Sequence, residues 1–517
     1  MSIVRTPRIL GALPFAVAVI AFAGSVAAQT PGAPAPEHQH EAAAPDQDAD
    51  AGHDMTDMAR EGSGTSWLPD DSPMYAIHAL RGPWTLMFHE NAFLQFFHES
   101  GPRGDDQVGS VNWLMGMAQR NVGRGRIGLR GMFSLEPWSI RGCGYPDLLA
   151  TGEECHAQKI HDLQHPHDLF MEVAADYSAP ITDHLRWHVY AAPVGEPALG
   201  PVAFPHRISA LANPLAPISH HWLDATHISF GVVTGGVSAT KWKAEASVFN
   251  GREPDETRTD FDFGAMDSVS GRVWFLPTRR LALQVSAGHL KGAEPGEAGG
   301  PRINVNRLTA SATYHRPFRD DGIWATTLAW GRNAEEGHGS NAVLLETSIT
   351  FRQRNTVFGR FDVAGKSAHD LVVPEPPEAF TVAKLQGGYS RYLRPRNGFQ
   401  PGIGAGISVG MVPETLKPVY GSRLNTGLAL FLTLRTAAMA PGDHAAHTAG
   451  ASTTGPSMVM VQTAFDPAKL TCSAAVDRKT AAATTYEGKT YYFCSAADRD
   501  RFLTDPKMSL SMMPPKQ

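Results

Sequence analysis

The long central part of the chain alternates between apolar and polar side chains over many short stretches. In one of them, Leu185, Trp187 and Val189 alternate with Arg186 and His188. A period of two places the apolar groups on one face of a β-strand and the polar groups on the other face. The pattern therefore predicts a series of antiparallel strands, which suits either a soluble sandwich or a membrane barrel.

The connections between the predicted strands favour the barrel. They alternate between short turns, such as 121–123 and 178–183, and long loops, such as 136–167 and 193–225. Bacterial outer-membrane barrels have short periplasmic turns, longer extracellular loops and an even number of strands. We therefore predict an all-β protein in which about sixteen strands form an antiparallel transmembrane β-barrel. The strands are expected near residues 84–97, 108–119, 124–135, 168–177, 184–192, 226–235, 239–250, 267–276, 280–290, 304–315, 322–331, 342–351, 355–364, 381–393, 398–410 and 425–436.

Composition divides the chain around this barrel, residues 84–436, into further segments. Residues 1–28 place two arginines ahead of an apolar run that ends in small residues, which is typical of a secretory signal peptide. A membrane anchor is the alternative for this run. Residues 29–66 and 437–463 contain too few apolar side chains to bury a core, so we expect a disordered arm and a flexible linker. Residues 67–83 are expected to be a linker or a plug for the barrel mouth.

The overall composition agrees with an exported barrel. The chain carries a net charge of −6, and 42% of its residues are hydrophobic. Half of each barrel strand faces water, so this moderate hydrophobicity is normal for such a protein. The charge gives no indication of a nucleic-acid partner, and no motif implies an organic cofactor.

Histidines concentrate in the two long loops. Neutral imidazole binds late first-row metals such as copper and zinc, so these loops are candidate metal-binding elements. The alternative is a network in which the imidazoles only form hydrogen bonds. Loops from neighbouring strands emerge side by side, so the two groups are expected to converge over the barrel mouth, and the second loop either folds inward or caps the mouth. The candidate ligands are His156, His161, His165 and His167 in the first loop and His220, His221 and His227 in or just after the second.

Two cysteines, Cys143 and Cys155, lie in the first loop. In an oxidising compartment, two cysteines so close in one loop form a disulfide more often than a thiolate metal site. We therefore predict a disulfide between them.

One pair of residues raises the question of catalysis. His227 and Ser229 are two residues apart on a predicted strand and resemble the His-x-Ser pair of outer-membrane phospholipases and lipid A deacylases. A histidine that deprotonates a neighbouring serine is the minimum for acyl transfer. The strand alternation directs this pair to the lumen, whereas lipid hydrolysis requires access from the bilayer. The prediction is therefore that the protein is not an enzyme, with a lipid-active hydrolase as an alternative.

The N-terminal arm carries side chains suited to copper. His38, His40, His53, Met55 and Met58 combine imidazole with thioether groups, and thioether favours Cu(I). The arm resembles the His/Met/Asp-rich N-terminal region of the outer-membrane copper resistance protein B family, although its motifs are sparser. This resemblance implies copper binding, and a solvated acidic linker is the alternative.

The C-terminal residues 464–517 have a different composition. Residues 486–495, YEGKTYYFCS, resemble the YHS domain, a small cysteine-containing module of heavy-metal transport and resistance proteins. The resemblance implies a small α+β domain. This copy keeps Cys472 and Cys494 but has Asp498 in place of a further cysteine. These three side chains are candidate metal ligands, and a disulfide between the two cysteines is the alternative.

Together these features predict an outer-membrane β-barrel protein that binds or passes heavy-metal ions, with copper as the first choice, in metal homeostasis or resistance. The expected partners are outer-membrane lipid, metal ions such as copper or zinc, and periplasmic metal carriers or efflux components. The arm and the C-terminal domain are expected in the periplasm. A general porin-like channel for small solutes is the main alternative.

Overall fold

The computed structural model describes residues 60–295, 301–318, 322–335, 338–374, 379–438, 482–486, 489–493, 499 and 502–503. Among these residues, no helix is long and apolar enough to cross a membrane. Some predicted ligands lie outside the described residues and stay predictions. They are His38, His40, His53, Met55, Met58, Cys472, Cys494 and Asp498.

Nearly all the regular structure consists of strands. In chain order they are β1 (Ile77–Arg81), β2 (Trp84–Glu99), β3 (Asp106–Val122), β4 (Gly125–Phe133), β5 (Tyr145–Cys155), β6 (Gln158–Gln164), β7 (Phe170–Thr182), β8 (Leu185–Gly195), β9 (Ser229–Ala239), β10 (Trp242–Phe249), β11 (Ser268–Thr278), β12 (Leu281–Glu294), β13 (Ile303–Phe318), β14 (Gly322–Glu335), β15 (His338–Phe351), β16 (Asn355–Lys366), β17 (Phe380–Tyr392), β18 (Phe399–Met411), β19 (Leu424–Thr436), β20 (Ala482–Tyr486) and β21 (Lys489–Phe493). The short helices are α1 (Glu136–Ser139), α2 (His220–Leu223) and α3 (Lys417–Tyr420), with 3-10 turns at Phe204–His206, Ala225–His227 and Glu414–Leu416.

Sixteen strands, β2–β4 and β7–β19, form a closed antiparallel barrel, which confirms the predicted fold class. Each strand pairs with the next along the chain, and β4 pairs with β7 across the inserted β5 and β6. The barrel closes where β19 pairs with β2, with Leu430 opposite Phe96. Strand β1 adds to the free edge of the first half of β2.

The two faces of the barrel wall differ as the alternation predicts. Leu345 of β15 lies opposite Phe361 of β16, and both side chains are exposed on the outside. One residue further along the same pair of strands, Glu346 lies opposite Arg360, and both are buried inside. The apolar exterior and polar interior are the arrangement of membrane barrels and the reverse of a soluble sandwich.

Most of the short turns lie at one end of the barrel, here called the short-turn end, whereas β14 and β15 are joined through only two residues at the other end. Those at the short-turn end include residues 123–124, 183–184, 240–241 and 279–280. Exposed aromatic side chains lie a few residues from these and the equivalent turns, as in the girdles of membrane barrels. They include Trp187, Trp242, Trp324 and Tyr389.

The first long loop is more regular than expected from its sequence. It contains α1 and a two-stranded hairpin of β5 and β6, whose residues are largely buried. The predicted disulfide between Cys143 and Cys155 is confirmed, with their Cα atoms 5.8 Å apart. The hairpin contacts β2, β3 and β17, so it lies against the inner wall.

The second long loop folds into the barrel and does not simply cap the mouth. This is one of the two arrangements predicted from the sequence. This segment, residues 196–228, is here called the lumenal loop, and nearly all of it is buried. Its hydrogen bonds reach strands on widely separated parts of the wall, so it crosses the lumen. They join Gly200 to Ser286 of β12 (2.8 Å), Arg207 to Glu346 of β15 (2.6 Å), Leu211 to Asn91 of β2 (3.0 Å), Asn213 to Gln386 of β17 (2.9 Å) and Ser219 to Asp362 of β16 (2.6 Å).

Residues 60–75, here called the plug segment, occupy the short-turn end. Arg130 Nη1 donates to the Gly64 carbonyl at 2.6 Å, and Ser72 Oγ lies 2.7 Å from His315 Nδ1. Residues 60–66 were assigned to the disordered arm from their composition, but they pack inside the barrel. They do so because their backbone carbonyls find donors on the lumenal wall.

In the C-terminal region, the described residues form a hairpin of β20 and β21, with Thr485 opposite Thr490. The rings of Tyr486 and Phe502 meet edge to face at 6.0 Å. The assignment to the YHS family stays a prediction.

Candidate metal centre

Five of the predicted histidines converge inside the barrel, and together they are called the five-histidine cluster. His165 and His167 follow β6, His220 and His221 open α2, and His227 ends the adjacent 3-10 turn. All five side chains are buried. The ring centroids are 5.7 Å apart for His165 and His221, 5.2 Å for His220 and His221, 5.3 Å for His220 and His227, and 5.4 Å for His167 and His227.

Each imidazole of the cluster is oriented through its Nδ1 atom by an oxygen. Three of the partners are carboxylates, and two are backbone carbonyls. With Nδ1–H donating to these oxygens, each Nε2 carries the lone pair that a metal would use, which is the usual support for metal-bound histidine. The pairs are His165 with the Pro166 carbonyl (3.3 Å), His167 with Glu136 (3.0 Å), His220 with Asp224 (2.6 Å), His221 with Glu253 (3.1 Å) and His227 with the Asp224 carbonyl (2.8 Å), and Glu153 lies 3.4 Å from His165 Nδ1.

The Nε2 atoms of His165, His221 and His227 are buried and have no hydrogen-bond partner among the described residues. A nitrogen lone pair that accepts no hydrogen bond is what a metal ligand requires, so these three atoms are the candidates for coordinating an ion. One ring nitrogen each of His165, His220 and His221 lies within 4.8 Å of the other two. Nitrogens bound tetrahedrally to one zinc ion at about 2.0 Å are about 3.3 Å apart, so modest ring rotations suffice to close the site.

Burial keeps most of these imidazoles neutral. It lowers the pKa of His220 to about 4 and brings the pKa of His165 and His227 well below the usual value. For His167, burial also acts to lower the pKa, but the adjacent carboxylate of Glu136 outweighs it and raises the pKa. Neutral imidazole is the form that binds metal ions.

Asp224 connects the cluster to the barrel wall. Its carboxylate pairs with His220 and with Arg207, and it accepts the backbone N–H of Phe204 at 3.0 Å. Arg207 in turn pairs with Glu346 of β15 at 2.6 Å. Burial alone would raise the pKa of Asp224, but Arg207 and His220 hold it below the usual value. The position of His220 therefore depends on a buried ion-pair network.

Gly152 in the β5–β6 hairpin makes room for the cluster. It has a φ of 126°, which L side chains rarely adopt. A Cβ atom at this position would overlap Nε2 of His221. Glycine is therefore required here both by the backbone conformation and by the close approach of the imidazole.

A small cleft reaches the cluster from one side, with His221 in its lining. Its polar lining includes Glu153, Glu253, Glu294 and Arg307. Arg252 also lines the cleft, so its charged groups are three carboxylates and two guanidiniums.

Two predicted ligands are not part of the cluster. The side chain of His156 is 82% exposed and faces Glu256, with Nδ1 3.4 Å from the carboxylate. His161 Nδ1 lies 2.9 Å from Asp162, and the same atom also contacts Arg103. Local histidine density was the reason for including both, but each side chain is held by other partners.

The His227 and Ser229 pair lacks the geometry of a catalytic dyad. Ser229 Oγ donates to the Thr226 carbonyl at 3.1 Å, and His227 Nδ1 faces the Asp224 carbonyl. In the described part of the chain, the hydroxyl and the imidazole do not bond to each other. The prediction that the protein is not an enzyme stays a prediction.

The residues that orient the imidazoles of the cluster were not predicted from the sequence. Asp224 could have been found, because it lies four residues after His220 in a helical turn. Glu136, Glu153 and Glu253 carry no local signal, since each is brought to its histidine by the fold.

No family model and no curated protein matches the chain. Solved structures similar to it include an anion-selective porin from Comamonas acidovorans, with 11% identity, a TM-score of 0.41, and coverage of 68% of this chain and 99% of that chain. They also include Salmonella typhi OmpF in complex with daunomycin, with 7% identity, a TM-score of 0.45, and coverage of 69% and 100%. A third is the outer membrane channel DcaP of Acinetobacter baumannii, with 6% identity, a TM-score of 0.39, and coverage of 70% and 100%. Because these TM-scores are all below 0.5, the fold is assigned from the strand pairing of this chain and not from its similarity to these structures.

Proposed function

We propose that the protein is an outer-membrane β-barrel whose lumen binds a divalent late first-row ion, Cu(II) or Zn(II), at the five-histidine cluster. The observation that carries this proposal is the orientation of all five Nδ1 atoms by oxygens, while the Nε2 atoms of His165, His221 and His227 are buried and have no partner in the part of the chain that the structure describes. A hydrogen-bonding network would use both nitrogens of each ring. In a metal site, one nitrogen is oriented by the protein and the other faces the ion.

Membrane residence is supported by the outer surface of the barrel. Apolar side chains such as Val108, Val285, Leu328 and Ile407 are more than half exposed there. A contiguous apolar surface of this kind is stable in lipid and prone to aggregation in water. Outer-membrane lipid is therefore the proposed surrounding.

The orientation in the membrane follows from the chain ends. Tyr75 of the plug segment bridges to Ala438, just after β19, so both extensions of the chain leave at the short-turn end. Short turns of outer-membrane barrels face the periplasm. The arm and the C-terminal region would then meet periplasmic metal carriers or efflux components. Protease added to intact cells should leave the C-terminal region uncut, and cleavage there would reverse this orientation.

A porin-like channel for small solutes is the second candidate. Barrels of sixteen to eighteen strands enclose enough space for an aqueous channel, and this barrel has sixteen. Its wall carries buried charges of both signs, such as Glu346 and Arg360, as polar pores do. The lumenal loop crosses this space, so conduction would require a path beside the loop or a displacement of it.

Calorimetric titration of the full-length protein in detergent with Cu(II) and Zn(II) tests the metal proposal. The variant is His165→Ala with His221→Ala, and the matched control is His156→Ala with His161→Ala from the same loop. We expect the first pair to lose one equivalent of bound metal or to weaken binding by about tenfold or more. The control should bind as the parent does.

Identical titrations for the parent and both double variants would remove the metal function from the barrel. Single-channel recording in planar bilayers then separates the two candidates. A solute channel should conduct in the absence of metal and show no change in conductance when His165 and His221 are replaced.

A further inference from the structure

The lumenal side of β2, β3 and β4 differs from the rest of the inner wall. Later strands direct charged and hydroxyl side chains inward, such as Thr327 of β14 and Glu346 of β15. Here methionine and aromatic side chains share the inward positions with polar ones. All the buried methionines of the described residues lie in this one cluster, which is called the methionine wall. They are Met87, Met115, Met117, Met132 and Met171.

The strand register places these thioethers beside an imidazole. His89 of β2 lies opposite Met115 of β3, and Met115 lies opposite Met132 of β4. Directly opposed residues of antiparallel strands have Cβ atoms about 4.5–5.5 Å apart. The imidazole and two thioethers therefore form one row across three strands.

His206 of the lumenal loop completes this row from the interior. Its Nε2 atom lies 3.2 Å from Met132 Sδ, and its ring centroid is 5.8 Å from that of His89. The ring of Trp113 packs against both imidazoles, at 4.8 Å from His206 and 5.2 Å from His89. His89 Nε2 is buried, and within the described ranges it has no hydrogen-bond partner.

We propose that Met132, His206, His89 and Met115 form a second metal site, which takes a soft monovalent ion such as Cu(I) or Ag(I). Thioether sulfur selects Cu(I) over harder divalent ions. A tetrahedral ion at about 2.3 Å from sulfur and about 2.0 Å from nitrogen holds these two atoms about 3.5 Å apart. The Met132 and His206 atoms are already within a few tenths of an ångström of that separation.

The surroundings also suit a monovalent ion. The carboxylates that orient the five-histidine cluster have no counterpart on His89 and His206 among the hydrogen bonds and ion pairs of the described residues. The aromatic ring of Trp113 attracts a cation through its quadrupole. It does so without adding a formal negative charge to the site. A site with neutral ligands and an aromatic wall therefore favours soft ions over hard ions, and monovalent ions over divalent ions.

This second site is separate from the five-histidine cluster. Phe204 packs against His167 and His220 of that cluster, whereas His206 faces Met132. The 3-10 turn Phe204–His206 therefore separates the imidazoles of the five-histidine cluster from the thioethers of the methionine wall. The second site stands whether or not the first binds a divalent ion.

Titration of the full-length protein in detergent with Ag(I), an air-stable soft probe, tests the proposal. The variant Met132→Leu keeps the side-chain volume and removes the sulfur. We expect it to lose one equivalent of bound Ag(I) or to weaken that binding by about tenfold or more. The control Met266→Leu replaces an exposed methionine and should bind Ag(I) as the parent does.

A second variant, His206→Phe, guards against a fold defect in the first, and heat-modifiable migration on gels reports an intact barrel in each. Zn(II) binding should be unchanged in Met132→Leu and reduced in the His165→Ala and His221→Ala double variant, which separates the two sites. If folded Met132→Leu and folded His206→Phe both bind Ag(I) with the stoichiometry and affinity of the parent, the methionine wall is only a packed apolar surface.

Discussion

Arg207 offers the most direct test of how the lumenal loop is held. Its guanidinium pairs with Asp224 in the loop and with Glu346 on the wall, and all three side chains are about 99% buried. The variant Arg207→Met keeps an unbranched side chain of roughly the length of the arginine stem and removes the guanidinium with its charge. Removing one partner of a buried ion pair costs about 3–5 kcal/mol, because the remaining charges stay buried without compensation.

The barrel strands do not depend on this contact, so the cost falls on the attachment of the lumenal loop. At 1.4 kcal/mol for each factor of ten, 3–5 kcal/mol changes the ratio of attached to detached loop by roughly two to three and a half powers of ten. We expect faster cleavage of the loop by added protease and larger or more frequent openings in single-channel recordings. Metal affinity should fall as well, because Asp224 orients His220.

The matched control is Arg252→Met, which removes a bidentate pair with Asp267 in a part of the chain where both side chains are about a quarter exposed. Partly exposed pairs contribute about 0–1 kcal/mol, so this variant should behave as the parent does. If Arg207→Met and Arg252→Met show the same protease sensitivity and the same conductance, the buried network does not hold the loop, and the reasoning fails.

Three further predictions concern the cluster and its hairpin. Gly152→Ala should abolish metal binding at the cluster, because its Cβ would overlap His221 Nε2, whereas Gly116→Ala, which meets nothing within 4 Å, should not; calorimetry compares the two. Because burial lowers the pKa of His220 to about 4, Zn(II) binding should persist at about pH 5.5, below the free imidazole value of about 6.5, and should decline on further acidification; titrations at several pH values check this. Cys143→Ser should expose one newly reactive thiol to alkylation and destabilise the hairpin by roughly 2–4 kcal/mol, measured by mass spectrometry and chemical denaturation.

The barrel could be predicted because its determinants are local. Alternation fixes which face of a strand is apolar, and turn length fixes whether neighbouring strands pair directly. The disulfide was equally accessible, since both cysteines lie in one loop.

The interior could be predicted only in part. Histidine density identified the five members of the cluster but also included His156 and His161, because density does not show which partner each imidazole meets. Glu253 orients His221 from a different loop, and His206 meets Met132 across 74 residues of sequence. Such contacts depend on the path of the lumenal loop, which the alternation of polar and apolar residues does not specify.

The seam between β19 and β2 has a consequence for the order of assembly. It joins the two ends of the barrel sequence, with Leu430 opposite Phe96, while Thr436 Oγ1 donates to the carbonyl of Tyr75 at 2.7 Å. Contacts between such distant parts of a chain form late in folding. Once the seam is closed, no gap in the wall remains through which the plug segment or the lumenal loop could enter sideways. The plug segment and the lumenal loop must therefore already be inside when the seam closes. Any ion that they enclose must enter afterwards, past a chain that is already folded around the ion site.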